Sequence, residues 1–297
     1  MPTGFDLTLN PAFTVMEPAE QRVPFVFNSP HSGRNYTSQF LSSIRLNRSS
    51  VRKSEDYRVD ELFSGSVRQG CPMLVANFPR AFLDVNREPY ELDPLMFEDE
   101  LPDFVNTRSA RVAGGLGTIA RIVSENEDIY NRKLTCEEGF ERIETIYKPY
   151  HAALHEILTR THELFGYCVL VDCHSMPSFG AGGLRRARPD IVLGDRYATS
   201  CAQKITWAAA EFLAALGYCV EINKPYAGGF ISEHYGRPDD GFHAIQIEVN
   251  RGLYMNEERL ERSRRFSQVQ DDLTRFIGRL VSIPDGDLHA VRQLAAE

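Results

Sequence analysis

The sequence predicts one α/β domain over residues 1–297. Three observations lead there: short apolar runs of sheet length recur along the chain, helical patterns lie between them, and no linker interrupts the alternation. No internal repeat or low-complexity segment appears. In an open α/β sheet of this kind, chemistry gathers where buried strands meet loops.

Taken in order, Val23 to Asn28 reads as a strand. It ends in Ser29-Pro30-His31-Ser32-Gly33, a tight turn that Pro30 stiffens and Gly33 permits. A helix is expected from about Ser54 to Val67, with Ser54 as N-cap and Val59, Leu62, Phe63 and Val67 at helical spacing. Glu55 and Asp56 fall in its first turn, where one acid complements the helix dipole and the other is left for a different task. Met73 to Ala76 is a short strand. After it, Arg80, Asp84, Asn86 and Arg87 are interleaved with Phe82, Leu83 and Val85. Arginines woven into apolar sequence are desolvated and paired. Two readings stand side by side: a bidentate carboxylate clamp and an internal Asp84–arginine salt bridge.

Residues 88–110 are acidic and carry Pro89, Pro94 and Pro102, the marks of an irregular excursion. Gly114-Gly115-Leu116-Gly117 lacks the preceding strand and the spacing of a dinucleotide loop. Thr135 to Phe165 is an amphipathic helical region with Phe140, Ile143, Ile146, Tyr147, Tyr150, Leu154 and Leu158 at helical spacing, interrupted at Pro149. His151 and His155 are four apart, but the residues between them lack the glutamate of an HExxH zinc helix. With His162 they read as packing or surface residues.

The run around which the rest is organised is Tyr167 to Pro177. It starts as a buried strand and then presents Asp172 and His174, two apart and so on one face of an extended chain. Ser175 onward reads as a loop. Gly182-Gly183 and the basic Arg185-Arg186-Ala187-Arg188 follow, read as solvated surface or a cationic lip. Asp190 to Gly194 and Tyr218 to Ile222 are strands around a helix near Thr199 to Leu216, and Asn223 to Phe230 is a mobile binding loop. Ala244 to Arg251 alternates as a strand with Gln246 and Glu248 on one face. A glutamate there needs a cation or a catalytic role. Asn256 to about Ile283 closes the chain as a helix carrying Leu260, Phe266, Val269, Leu273, Phe276 and Leu280.

Composition narrows the function. The net charge of −8 argues against general nucleic-acid binding, which clusters Lys and Arg, and leaves room for a locally cationic cleft. The six cysteines show no CxxC and no metal-finger spacing, a pattern of reduced, intracellular thiols. The N-terminus lacks the basic and apolar regions of a signal peptide, and no apolar run approaches the ~20 residues of a membrane span. A cytoplasmic protein with no membrane partner is expected.

His31, His174, an acid at Glu55 or Asp56, and Glu248 are the ligand and base types of a hydrolytic zinc site. Such a site takes three N or O ligands and leaves a position for water, whose pKa the metal lowers and whose proton a carboxylate removes. No GxSxG nucleophile elbow is present, and Cys173 and His174 face opposite ways on a strand.

Across most of its length the sequence resembles the N-formylglutamate amidohydrolase family. The marks are Ser29-Pro30-His31-Ser32-Gly33, Glu55-Asp56 before Asp60-Glu61-Leu62-Phe63, Arg80 with Asp84-Val85-Asn86-Arg87, Asp172-Cys173-His174-Ser175, Gly228-Gly229 and Gln246-Ile247-Glu248. The resemblance implies a zinc-exopeptidase-like architecture, shared with carboxypeptidases and aspartoacylase, in which helices flank a mixed central sheet. It also implies hydrolysis of an amide beside a free carboxylate, hence a small anionic N-acyl amino acid as substrate and one Zn2+ as cofactor. It makes His31 and His174 zinc ligands. The carboxypeptidase pattern has a glutamate three positions after the first histidine, where this chain has Arg34, so the third ligand is expected to be Asp56, with Glu55 in reserve. Glu248 resembles the general base, Arg80 the arginine that polarises the scissile carbonyl, and Asn86-Arg87 the pair that grips the substrate carboxylate. Asn250-Arg251 competes for that last role, and Asp172 fits the orienting of an imidazole. The reaction expected is N-formyl-L-glutamate to formate and glutamate. Another N-acyl-amino-acid deacylase or carboxypeptidase-like metallohydrolase, and a non-catalytic anion-binding protein, are the alternatives.

Overall fold

The computed structural model describes residues 11–123, 127–178 and 189–283; the Gly182-Gly183 and Arg185 to Arg188 stretch lies outside them. The architecture is a mixed central sheet with helices around it. Its strands are β1 (Phe13–Met16), β2 (Phe25–Ser29), β3 (Met73–Ala76), β4 (Cys168–Met176), β5 (Ile191–Gly194), β6 (Val220–Ile222) and β7 (Phe242–Asn250), in the order β1-β3-β2-β4-β7-β5-β6. Strands β2, β4 and β7 are parallel, β5 runs antiparallel to β7, and β6 is parallel to β5.

All nine residues of β4 are buried, as expected of a strand paired on both edges and covered on both faces. Register then does the positioning. Asn28 pairs with Asp172 and Asp172 with Gln246, while His174 pairs with Glu248. Cross-strand partners share a face, so five polar side chains line one side of the sheet at the C-terminal ends of three parallel strands.

The chain forms two compact units, each discontinuous in sequence. One comprises Val15–Ser29, Asp56–Leu74 and the chain from His155 onward. Its helix Phe266–Leu280 buries Phe266, Val269, Leu273, Phe276, Ile277 and Leu280, a stripe at helical spacing, against helices Gln203–Ala215, Val59–Leu62 and Gly65–Arg68. The other comprises the described residues up to Thr14, Pro30–Glu55 and Val75–Leu154. Its core is aromatic: Phe40 meets Phe82 and Tyr130 at 5.2 and 6.1 Å, and Tyr150 meets Phe13 and Phe78 at 5.7 and 6.0 Å.

Four local expectations change. No helix spans Ser54 to Val67. Arg52–Ser54 is a 3-10 turn, Glu55 is extended, Arg58 is left-handed at φ 56°, and only the single-turn helices Val59–Leu62 and Gly65–Arg68 follow. The buried polar contacts of Asp56, described below, outweigh the weak helix propensity of this polar segment. Strand β4 runs on through Ser175 and Met176 because β7 pairs with it to the end. The last helix starts at Phe266, where its apolar stripe starts. Before it, Met255–Asn256 (β8) and Glu261–Arg262 (β9) form a small antiparallel hairpin. Finally, the break in the Thr135 to Phe165 region precedes Pro149. Thr135 and Glu138 form a capping box for Cys136–Arg142, a π-turn covers Ile143–Tyr147, and an α-helix resumes over Lys148–Phe165. Pro149 has no N–H for the usual four-residue bond, and the looser turn forms just before it.

Candidate functional site

The end of β4 presents His174 between two carboxylates. Its Nε2 lies 2.8 Å from Asp172 Oδ2 and its Nδ1 3.0 Å from Asp56 Oδ2. Asn28, next door on β2, donates to the other Asp172 oxygen at 2.8 Å. Asp56 is held further by the Ser175 hydroxyl at 3.2 Å and the Arg251 guanidinium at 3.1 Å, and Arg251 also donates to Ser175 at 3.1 Å. On β7, Gln246 uses both ends of its amide. It donates to Glu248 at 2.9 Å and accepts from the Gly229 backbone at 2.8 Å. Every side chain in this set is buried. Burial alone would lower the His174 pKa, but Asp172, Asp56 and Glu248 hold it well above the usual histidine range. The field here therefore favours a cation.

The turn after β2 presents His31, 1% exposed. Its Nε2 donates to Asp84 Oδ1 at 2.7 Å. Asp84 in turn accepts from Arg80 Nε at 2.9 Å and from the Asn86 backbone at 2.9 Å, with the Arg87 guanidinium 3.6 Å away. Burial would raise the Asp84 carboxyl, yet Arg80, Arg87 and His31 together hold it well below the carboxylate range. Gly33 is needed for close approach rather than for an unusual φ: a Cβ there would stand 1.9 Å from the Phe78 carbonyl oxygen.

One ligand atom each from His31, Asp56 and His174 lies within 4.8 Å of the other two, and all three residues are buried. Two imidazoles and one carboxylate form a donor set typical of catalytic zinc, leaving room for further ligands. The 3.0 Å between Asp56 and His174 is about the separation of two ligands whose bonds to one ion are ~2 Å. Each imidazole also has a carboxylate on its other nitrogen, the arrangement that orients metal-bound histidines. The residues fit a divalent cation.

The remaining candidates sort by contact. Glu55 is engaged elsewhere, in a two-point bond to Arg52 at 2.9 and 3.2 Å. Of the two readings of the arginine stretch, the internal salt bridge is present: Asp84 is paired with Arg80 and also backs His31. Arg87 is drawn to backbone as well, donating to the Leu116 and Asn86 carbonyls at 2.9 and 2.8 Å. Arg251 braces Asp56, while Asn250 caps the Gly252 backbone and donates to the Pro189 carbonyl. His151 and His162 reach the carbonyls of Val85 and Asp240 and stack on Tyr147 and Phe242. Three contacts were not readable from the sequence: Asp84 on His31, Arg251 on Asp56, and Gln246 on the Gly229 backbone. Among the described residues, no helix is long and apolar enough to cross a membrane.

The sequence model of the N-formylglutamate amidohydrolase family matches residues 23–255. The N-formylglutamate deformylase of Pseudomonas putida is 27% identical over 242 residues, covering 80% of this chain and 83% of that protein. The enzyme of that name from Pseudomonas aeruginosa is 26% identical over 240 residues, covering 80% and 84%. The crystal structure of N-formylglutamate amidohydrolase from Ralstonia eutropha JMP134 superposes with a TM-score of 0.85 at 34% identity, covering 91% of this chain and 97% of that one. The chain belongs to the N-formylglutamate amidohydrolase family.

Proposed function

We propose that this protein hydrolyses N-formyl-L-glutamate to formate and glutamate, with His31, Asp56 and His174 holding one divalent cation, taken as Zn2+. The observation that carries the reading is the buried two-histidine, one-carboxylate set in a chain whose relatives are named N-formylglutamate deformylase. A divalent cation in such a set supplies Lewis acidity, polarising a carbonyl and acidifying water.

The chain's own residues do the rest. Glu248 takes a proton from the attacking water and returns it to the leaving amine nitrogen, so that water is split between formate and glutamate. Its support is position: it pairs with His174 across β4 and β7, and Gln246 holds one carboxylate oxygen. Arg80, anchored to Asp84 through Nε and 27% exposed, faces the developing oxyanion with a fixed positive charge. Asn86 and Arg87 bind the glutamate carboxylates, Arg87 through the planar fork suited to that group.

The test is formate release by the purified chain from N-formyl-L-glutamate, set against N-acetyl- and N-succinyl-glutamate and N-formyl-aspartate. N-formyl-L-glutamate should give the highest kcat/KM. Preference for another acyl group would reassign the specificity, and no turnover of any of them would contradict the hydrolase reading.

A further inference from the structure

The π-turn at Ile143–Tyr147 has no account in the proposed chemistry, and what flanks it points at the site. Three side chains from this helical region reach the same short segment. Arg142 Nη1 donates to the Phe82 carbonyl at 3.0 Å, the Tyr147 hydroxyl to the Arg87 carbonyl at 2.6 Å, and His151 Nε2 to the Val85 carbonyl at 2.9 Å. Those carbonyls bracket Asp84, whose own N–H donates to the Thr118 carbonyl at 2.8 Å.

The spacing explains the need for a π-turn. On an unbroken α-helix, residues five apart stand about 140° from each other, on different faces. The i→i+5 bonding of a π-turn returns such residues to one face. Arg142 and Tyr147 are five apart across it, and Tyr147 and His151 are four apart on the helix that follows. The three then form one ladder: the Tyr147 and His151 rings stack at 4.3 Å, and the Arg142 guanidinium lies 4.1 Å over the Phe82 ring. Arg142 is 1% exposed and Tyr147 4%.

We propose that Arg142, Tyr147 and His151, brought onto one helix face by the π-turn, are positioning residues that hold the Phe82–Arg87 segment so that Asp84 stays against His31. The effect on turnover rests on the function proposed above; the effect on the His31–Asp84 bond does not. The direct readout is therefore the imidazole Nε2–H proton of His31 in protein carrying 15N-labelled histidine, assigned by its absence in His31→Gln. The wild type should show it as a low-field resonance protected from exchange by the 2.7 Å bond to Asp84. In Tyr147→Phe and in His151→Ala it should move upfield or broaden with solvent exchange. His151→Gln, which keeps a donor, should restore it in part, and Val105→Ala, a core truncation in the same unit, should leave it unchanged.

Each lost ladder bond should also lower kcat/KM for N-formyl-L-glutamate by about tenfold, the scale of one hydrogen bond, through kcat rather than KM. Deleting Thr145, which converts the π-turn to an α-turn, is the harsher version. Folded Tyr147→Phe and His151→Ala proteins that keep the wild-type His31 resonance would overturn the proposal, whatever their activity. A wild type that shows the resonance but no turnover would overturn the function alone.

Discussion

The two imidazoles of the site are held in different ways. His174 has its carboxylate, Asp172, two residues away on the same strand, and that strand is paired along both edges. His31 has its carboxylate, Asp84, 53 residues away, and both lie in loops. Sheet register fixes the first pair, so many backbone bonds share the task. Side chains closing over a loop fix the second, and each of them matters singly. Removing the carboxylate behind the imidazole should therefore cost less stability in the strand half than in the loop half.

Glu248→Gln gives the largest expected effect on rate. It preserves register and size in the strand half, so the metal should remain while kcat falls on the order of 10²–10⁴-fold, the weight of a general base. Turnover within a few-fold of wild type, with metal bound, would remove Glu248 from the mechanism. Next come the two carboxylates behind the imidazoles. Asp84→Asn and Asp172→Asn should each weaken metal binding by about 10–100-fold, measured by competition with a chelating dye. They should differ in stability. Asp84→Asn leaves Arg80 and Arg87 beside a neutral amide and should cost about 3–5 kcal/mol in urea unfolding. Asp172→Asn should cost about 1–3 kcal/mol. Equal losses would break the distinction between the halves.

A third test concerns acid. Burial holds the His243 imidazole on β7 down at about 4, against ~6.5 for an unfolded histidine. Between those values the unfolded chain takes up a proton that the folded chain does not. The stability present above pH 6.5 is therefore lost as pH falls toward 4, by up to about 3 kcal/mol. Urea midpoints from pH 7 to 4 should fall for the wild type and flatten for His243→Gln; parallel curves would contradict this. The smallest effect is expected from Arg87→Ala, which should raise KM for N-formyl-L-glutamate by about tenfold with little change in kcat. An unchanged KM would move the carboxylate clamp to another residue.

How much of this was readable in advance follows the same division. Asp172, His174, Gln246 and Glu248 were legible because strand parity alone puts each pair on one face. The α/β class was legible from the alternation of apolar runs with helical patterns, whereas the mixed sheet was implied only by the family resemblance. Asp56, expected in the first turn of a helix and made a ligand by the family resemblance, lies outside any helix; its buried contacts with His174, Ser175 and Arg251 are ones that no local pattern encodes. Asp84 read as a salt-bridge residue, and its hold on His31 depends on a loop closing over 53 residues of sequence. The π-turn was invisible for a related reason. Its hydrophobic spacing is that of an ordinary helix, and only the carbonyls it serves reveal the extra residue in the turn.

The central claim is that His31, Asp56 and His174 share one divalent ion. An anomalous-scattering map at the zinc edge, on crystals of protein grown with zinc, tests it most directly. The account predicts one strong peak within ~2.0–2.2 Å of a ring nitrogen of each histidine and of an Asp56 oxygen. A map with no peak among these three residues, or with the ion held elsewhere, would contradict it.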